Sequence, residues 1–153
     1  MRVTKKKQLD LLGNVWLFEQ CSHKELNVLL GAATEVDRPG GRTLAKQGEA
    51  GREFVVILEG KASVTRDGTE IAVLGPGSFF GEMSLLDGKP RTATVTTLEP
   101  TRVLVLTKSA FGAVVASMPS VDRKMLTVIA GRLREIEAKY VPVAERFSHS
   151  EIA

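Results

Sequence analysis

The sequence predicts a single α+β domain, mostly β: a small antiparallel sandwich, roll or barrel with helices before and after it. Three observations predict it. Apolar residues recur at helical spacing over about 8–35 and again over 109–140, while 36–107 breaks into short strand-like runs. Glycine-bearing turns punctuate that middle zone at 39–41, 47–51, 59–60 and 75–77. Finally, 153 residues is the length of one domain, enough to bury roughly 70% of its unfolded surface in one core.

Taken in order, MRVTKKK holds four of the 21 basic residues and no acid, leaving 17 basic against 18 acidic residues in the rest. Residues 1–7 are expected to be a flexible basic N-terminus, either solvated or touching an anionic surface. The near-neutral body has no basic stripe, so nucleic-acid binding by this chain alone is not expected. Leu9, Leu12 and Trp16 suggest a helical turn or two. In CSHKELNVLLGAA, Ser22 and Glu25 make a capping box, and Leu26, Leu29, Leu30 and Ala33 follow on one face.

FVVIL (54–58) is a continuous apolar run and reads as a buried strand. RDGT (66–69) centres Asp-Gly between ASVT and EIAVL, a strong hairpin signal. TATVTT (92–97) alternates, and RVLVL (102–106) closes the zone. KSAFGAVVASMP then gives a short helix ending before Pro119. Ser120 is placed to cap the next helix, where Met125, Ile129, Leu133, Ile136 and Tyr140 recur at spacings of 4, 4, 3 and 4. That stripe needs a partner, either the open face of the β-zone or the same helix of a second copy, a homodimer. Residues 141–153 read as a loose polar tail.

Other functions lose ground on composition. Cys21 is the only cysteine, so no internal disulfide forms and a reducing cytoplasm is the expected setting. No apolar stretch reaches the ~18 residues of a membrane span, and the N-terminus lacks a secretory apolar region. A metalloenzyme on a β-scaffold needs clustered ligands, yet the two histidines, His23 and His149, both lie outside the β-zone. No P-loop or kinase signature is present. Neither a metal, a cofactor nor catalysis is expected.

One dense stretch remains, FGEMSLLDGKPRTATV, Phe80–Val95. A plain strand or core helix has no use for a glycine, a carboxylate, a second glycine, a proline and an arginine in that order. The stretch resembles the phosphate-binding cassette of cyclic nucleotide-binding domains, the family of bacterial catabolite activators, protein kinase regulatory subunits and cyclic nucleotide-gated channels. The family pattern is F-G-E-hydrophobic-small-L, a short turn, then R-small-A; the chain reads FGEMSL, LDGKP, RTA. The likeness runs from about Leu17 to Glu137. It implies an antiparallel, jelly-roll-like β-roll over 36–107 with the cassette at 80–93, inside a domain spanning 8–140.

The resemblance also implies roles. Glu82 would accept from the ribose 2′-hydroxyl and Arg91 would hold the phosphate, with Phe80, Gly81, Met83 and Ser84 shaping the turn and supplying backbone N–H groups. Thr92 adds a hydroxyl, and Ala93 is small enough to leave its amide accessible. Ile71 and Ala72 would line the pocket from a strand. Arg132 matches an arginine that closes over the ligand in the activator branch, and a solvated arginine on an amphipathic helix accounts for it equally well. The alternative for Glu82 and Arg91 is a structural ion pair. A hydroxyl after the cassette arginine accompanies cGMP acceptance in the kinase branch, while bacterial cAMP receptors also carry a small hydroxyl residue there; the ligand expected is cAMP before cGMP. The family's receptors are switches, yet the helix-turn-helix domain of the activators is missing after Tyr140. The expectation is a receptor that signals through another protein, or the regulatory part of a longer one. The competing reading is a protein-interaction module that no longer binds, or that takes a different phosphate ligand.

Overall fold

The structure, a computed structural model, describes residues 4–140, apart from the side chains of Met83, Leu86, Asp87, Arg132 and residues 135–140. Helix α1 (Lys5–Gly13), a 3₁₀ turn (Trp16–Phe18) and α2 (His23–Ala32) precede the strands. These are β1 (Thr34–Arg38), β2 (Thr43–Ala45), β3 (Glu53–Glu59), β4 (Ala62–Arg66), β5 (Thr69–Leu74), β6 (Phe79–Phe80), β7 (Thr94–Thr97) and β8 (Thr101–Thr107), with α3 (Glu82–Asp87) between β6 and β7. Helices α4 (Lys108–Ala116) and α5 (Pro119–Tyr140) follow. The strands form two antiparallel four-stranded sheets, ordered β1-β8-β3-β6 and β2-β7-β4-β5. This is the expected β-roll flanked by helices.

The FVVIL run is explained by burial on both faces. Phe54, Val56 and Leu58 point into the core shared with the helices, while Val55 and Ile57 point into the core between the two sheets. A strand covered on both sides has no polar face, so it loses the alternation of a half-exposed strand. Phe54 centres the helical core, stacked on Phe111 at 4.6 Å, edge-on to Phe18 at 6.2 Å and tilted on Phe79 at 5.6 Å. The Asp-Gly hairpin forms as expected, with Asp67 at φ 52° and Gly68 at φ 82°, the left-handed pair a tight two-residue turn requires. The Ser22–Glu25 capping box is also present, both bonds made at 3.1 and 2.8 Å.

Three expectations change. The basic run enters the first helix, because Thr4 Oγ1 accepts from the Lys7 N–H at 3.3 Å and caps it, and Lys7 pairs with Glu59 at 3.2 Å. Ser120 is not a cap: α5 starts one residue earlier, at Pro119, whose fixed φ and missing N–H suit a first helical position. Trp16 leaves the helical stripe for the 3₁₀ turn and is 43% exposed. The Lys124 ammonium covers its ring at 4.8 Å and donates to its carbonyl, fastening α5 to that turn.

Among the described side chains, the stripe on α5 packs at its start and opens to solvent at Leu133. Val121 and Met125 are buried and Ile129 is half-buried, but Leu133 is 62% exposed and Leu126, one position off the stripe, 67%. Ile136 and Tyr140 fall outside the described side chains, as the 141–153 tail falls outside the described residues. Among the described residues no helix is long and apolar enough to cross a membrane.

Truncating Phe54 to alanine removes the ring that three other rings pack against, and we expect it to cost about 3–5 kcal/mol of stability. Urea denaturation checks this through a lowered midpoint at unchanged slope.

Candidate functional site

The site begins where β6 ends. Phe79 and Phe80 pair with Val56 and Val55 on β3, so the next residue leaves the sheet beside Glu53. Gly81 makes that turn at φ 100°. A Cβ built on it would lie 2.3 Å from the Glu53 carbonyl oxygen and 2.6 Å from Arg91 Nη1, so both the backbone angle and the space demand glycine. One turn and a half of α3 follow, ending at Gly88 (φ 69°), whose N–H donates to the Ser84 carbonyl at 3.0 Å. Along α3, Glu82 is 2% exposed, and Ser84 and Leu85 are buried.

The chain returns through Pro90, which bridges Ala50, to Arg91. Arg91 is held twice. Its backbone N–H donates to the Glu49 carbonyl at 2.8 Å and its carbonyl accepts from the Gly48 N–H at 2.9 Å. Its side chain is nine-tenths buried, donates from Nη2 to the Glu53 carbonyl at 3.0 Å, and lies 6.0 Å from the centre of the Phe80 ring. The other fork nitrogen, Nη1, is buried without a hydrogen-bond partner. Burial pulls the guanidinium below its ordinary pKa, while Glu53 and Glu82 push it back up. Gly51 completes the cradle: a Cβ there would sit 2.3 Å from that of Ser84 and 3.1 Å from Arg91 Cδ.

These residues open onto a cavity of about 870 Å³. Of the eleven residues singled out in the sequence, Ile71, Ala72, Phe80, Gly81, Glu82, Ser84, Arg91, Thr92 and Ala93 line it. Met83 follows Glu82 on α3, but its side chain and that of Arg132 fall outside the described set. The lining also includes Ala45, Val64, Arg66, Leu74, Phe79 and Val95, which sequence reasoning missed. Val64 pairs with Ala72 on one side and Val95 on the other, so these three form one apolar row across β7, β4 and β5. The alternation of each strand was visible; the register that aligns the strands was not. Arg66 reaches the site by donating from Nε to the Thr92 carbonyl at 3.0 Å.

Chemically, the cavity places one buried carboxylate and one buried guanidinium, with Arg66, Ser84 and Thr92 as the other polar side chains, against a wall that is apolar elsewhere. That suits a ligand with an anionic end, a hydroxyl beside it and a flat apolar remainder. Among the described residues no group of three or more His, Cys, Asp or Glu side chains is placed to hold a metal ion.

Comparison with known proteins agrees with this chemistry. The family model described as the cyclic nucleotide-binding domain matches residues 35–118. A CRP-like cAMP-activated global transcriptional regulator of Mycobacterium tuberculosis is 31% identical over 82% of this chain and 58% of its own length. A cGMP-dependent protein kinase of Plasmodium berghei is 30% identical over 94% of this chain and 15% of its own. The crystal structure of the Thermus thermophilus catabolite activator protein superposes with a TM-score of 0.73 at 32% identity, covering 80% of this chain and 60% of that one. The chain therefore spans less than two thirds of each of these relatives.

Replacing Gly81 by alanine should destabilise the domain by on the order of 1–3 kcal/mol through the backbone angle alone, and further through the clash with the Glu53 carbonyl. Gly77→Ala is the control, since Gly77 also has a positive φ (87°) but nothing within 4 Å of the added carbon. Thermal denaturation of the two variants should separate them, with Gly81→Ala the lower.

Proposed function

The chain belongs to the cyclic nucleotide-binding domain family, and on that premise we propose that it is a receptor for a cyclic nucleotide, cAMP before cGMP, that reports occupancy to a partner protein. The observation that carries this reading is Arg91 Nη1, a buried cationic donor without a partner, in the same cavity as buried Glu82. A buried charged donor left unmatched is costly, so the site favours an anion that can satisfy it. A cyclic phosphate brings one negative charge and acceptor oxygens, which a planar guanidinium matches well. Glu82 is the acceptor for the ribose 2′-hydroxyl on the same face. The first-turn N–H groups of α3, which have no partner within the helix, and the amide of Ala93 complete the phosphate contacts.

The purine then lies along the apolar row of Val64, Ala72 and Val95, with Ile71 at the mouth. Thr92 sits beside it and Arg132 is the candidate to close over it from α5. Both cAMP and cGMP occur among the relatives' descriptions, and Thr92 is compatible with either. Output runs through α5. Exposed Leu126 and Leu133, seven residues apart on α5, are positioned for a second copy of the chain or for an effector protein.

Calorimetric titration at about 100 μM protein, a concentration sensitive to weak ligands, should show heat with cAMP and a smaller or equal response with cGMP. Arg91→Ala should weaken binding on the order of 100-fold and Glu82→Ala on the order of 10-fold, the scale of a lost hydrogen bond to a charged group. Absence of heat with both nucleotides overturns the reading.

A further inference from the structure

The tip of the β4–β5 hairpin is tied to the cassette through Gln47 and Asp67, neither of which lines the cavity. Gln47 Nε2 donates to Asp67 Oδ1 at 2.8 Å, and the Asp67 N–H donates back to Gln47 Oε1 at 2.9 Å. The Gln47 N–H donates to Thr94 Oγ1 at 3.0 Å, and Gly48 and Glu49, next along the chain, hold both sides of the Arg91 peptide. From the other direction, Arg66, beside Asp67, donates to the Thr92 carbonyl. The bonds close a circuit: loop 47–49, the segment 91–94 at the end of the cassette, hairpin tip 66–67, and back to Gln47. Asp67 takes part through a left-handed turn (φ 52°), which aims its N–H and its carboxylate at one amide.

We infer that Gln47 and Asp67 are positioning residues that fix the distance between the two ends of the ligand cavity. The inference rests on the receptor reading above. Glu82 and Arg91 take the ribose-phosphate at the cassette end, so the base must extend along the β4–β5 wall of Val64, Ile71, Ala72 and Leu74. β5 is the outermost strand of its sheet. Only β4 pairs with it, and at Arg66 β4 has itself run past its pairing with β7, so the Gln47–Asp67 pair helps hold the hairpin tip to the rest of the roll. Loosening the pair lets the hairpin drift from the cassette, which weakens contact with the base and leaves the phosphate clamp in place.

The test compares two probes by calorimetry: cAMP, and ribose 3′,5′-cyclic phosphate, which lacks the base. Gln47→Ala should weaken cAMP about 3- to 10-fold, the range expected for lost neutral and charge-assisted hydrogen bonds, and leave the base-less probe within about twofold of wild type, an experimental margin well under one net hydrogen bond. Asp67→Gly keeps the turn but removes the carboxylate and should act in the same direction. Asp67→Asn keeps an acceptor and tolerates the left-handed backbone, so it should restore near-wild-type affinity. The double variant Gln47→Ala/Asp67→Gly should bind cAMP no more weakly than Gln47→Ala, as expected for partners in one interaction. An unchanged cAMP affinity in Gln47→Ala overturns the inference, as does equal weakening of both probes. A wild-type chain that binds neither cAMP nor cGMP overturns the receptor reading instead.

Discussion

The site depends on keeping one guanidinium buried without neutralising it. Arg91 has Glu53 and Glu82 near enough to stabilise its charge, yet the direct hydrogen bond of its side chain goes to a backbone carbonyl. A carbonyl orients a guanidinium without cancelling its charge, so the field remains available to an anion. The positions that look incidental follow from this. Gly81 and Gly51 are glycines because the space where their side chains would stand is taken by the arginine, by the Glu53 carbonyl it binds and by Ser84. The run from 47 to 53, with no chemistry of its own in the sequence, is what Arg91 rests on.

That support comes from a strand buried on both faces. β3 carries Glu53 at its start and pairs with β8 on one side and β6 on the other. Its alternate side chains fill two cores at once. A carbonyl at the end of such a strand is a fixed point, since moving it would disturb packing on both faces. The cavity is thereby built with its arginine end on the doubly buried part of the fold and its opposite wall on an edge hairpin.

Much of this was legible in the sequence because the cassette is local. Glycine, carboxylate, short helix, turn and arginine lie within a dozen residues, and their order reports the path of the chain. The hairpin and the α2 capping box are local too, and both formed as read. What the sequence hid is long-range. The Val95–Val64–Ala72 row depends on strand register, and Gln47 meets Asp67 only because the roll brings a loop and a hairpin tip together. Trp16 fits a helical spacing, yet it is drawn out by a lysine 108 positions away. Ser120 has the right residue type for a cap, but Pro119 starts the helix before it.

The proposed receptor role also needs a route from the cavity to an output, and the packing supplies contiguity. Leu85 of α3 belongs to the same buried cluster as Phe111, Met118, Val121 and Met125, so the cassette helix and the seat of α5 share one core. Close-packed interiors respond to displacement in steps, because a side chain cannot move part way without opening a void or a clash. In the proposed switch a shift of α3 would be felt where α5 is anchored, and Lys124, bonded to the Trp16 carbonyl and lying over its ring, would resist it from the outer side. Contiguity permits coupling but does not set its size. That size would be the difference in ligand affinity between any two arrangements of α5 that the proposed switch adopts. The beginning of α5 is seated in the core, and Leu126 and Leu133 farther along it are exposed, so in the proposed switch a small rotation at the seat would be carried outward along the helix to the surface where a partner would meet it.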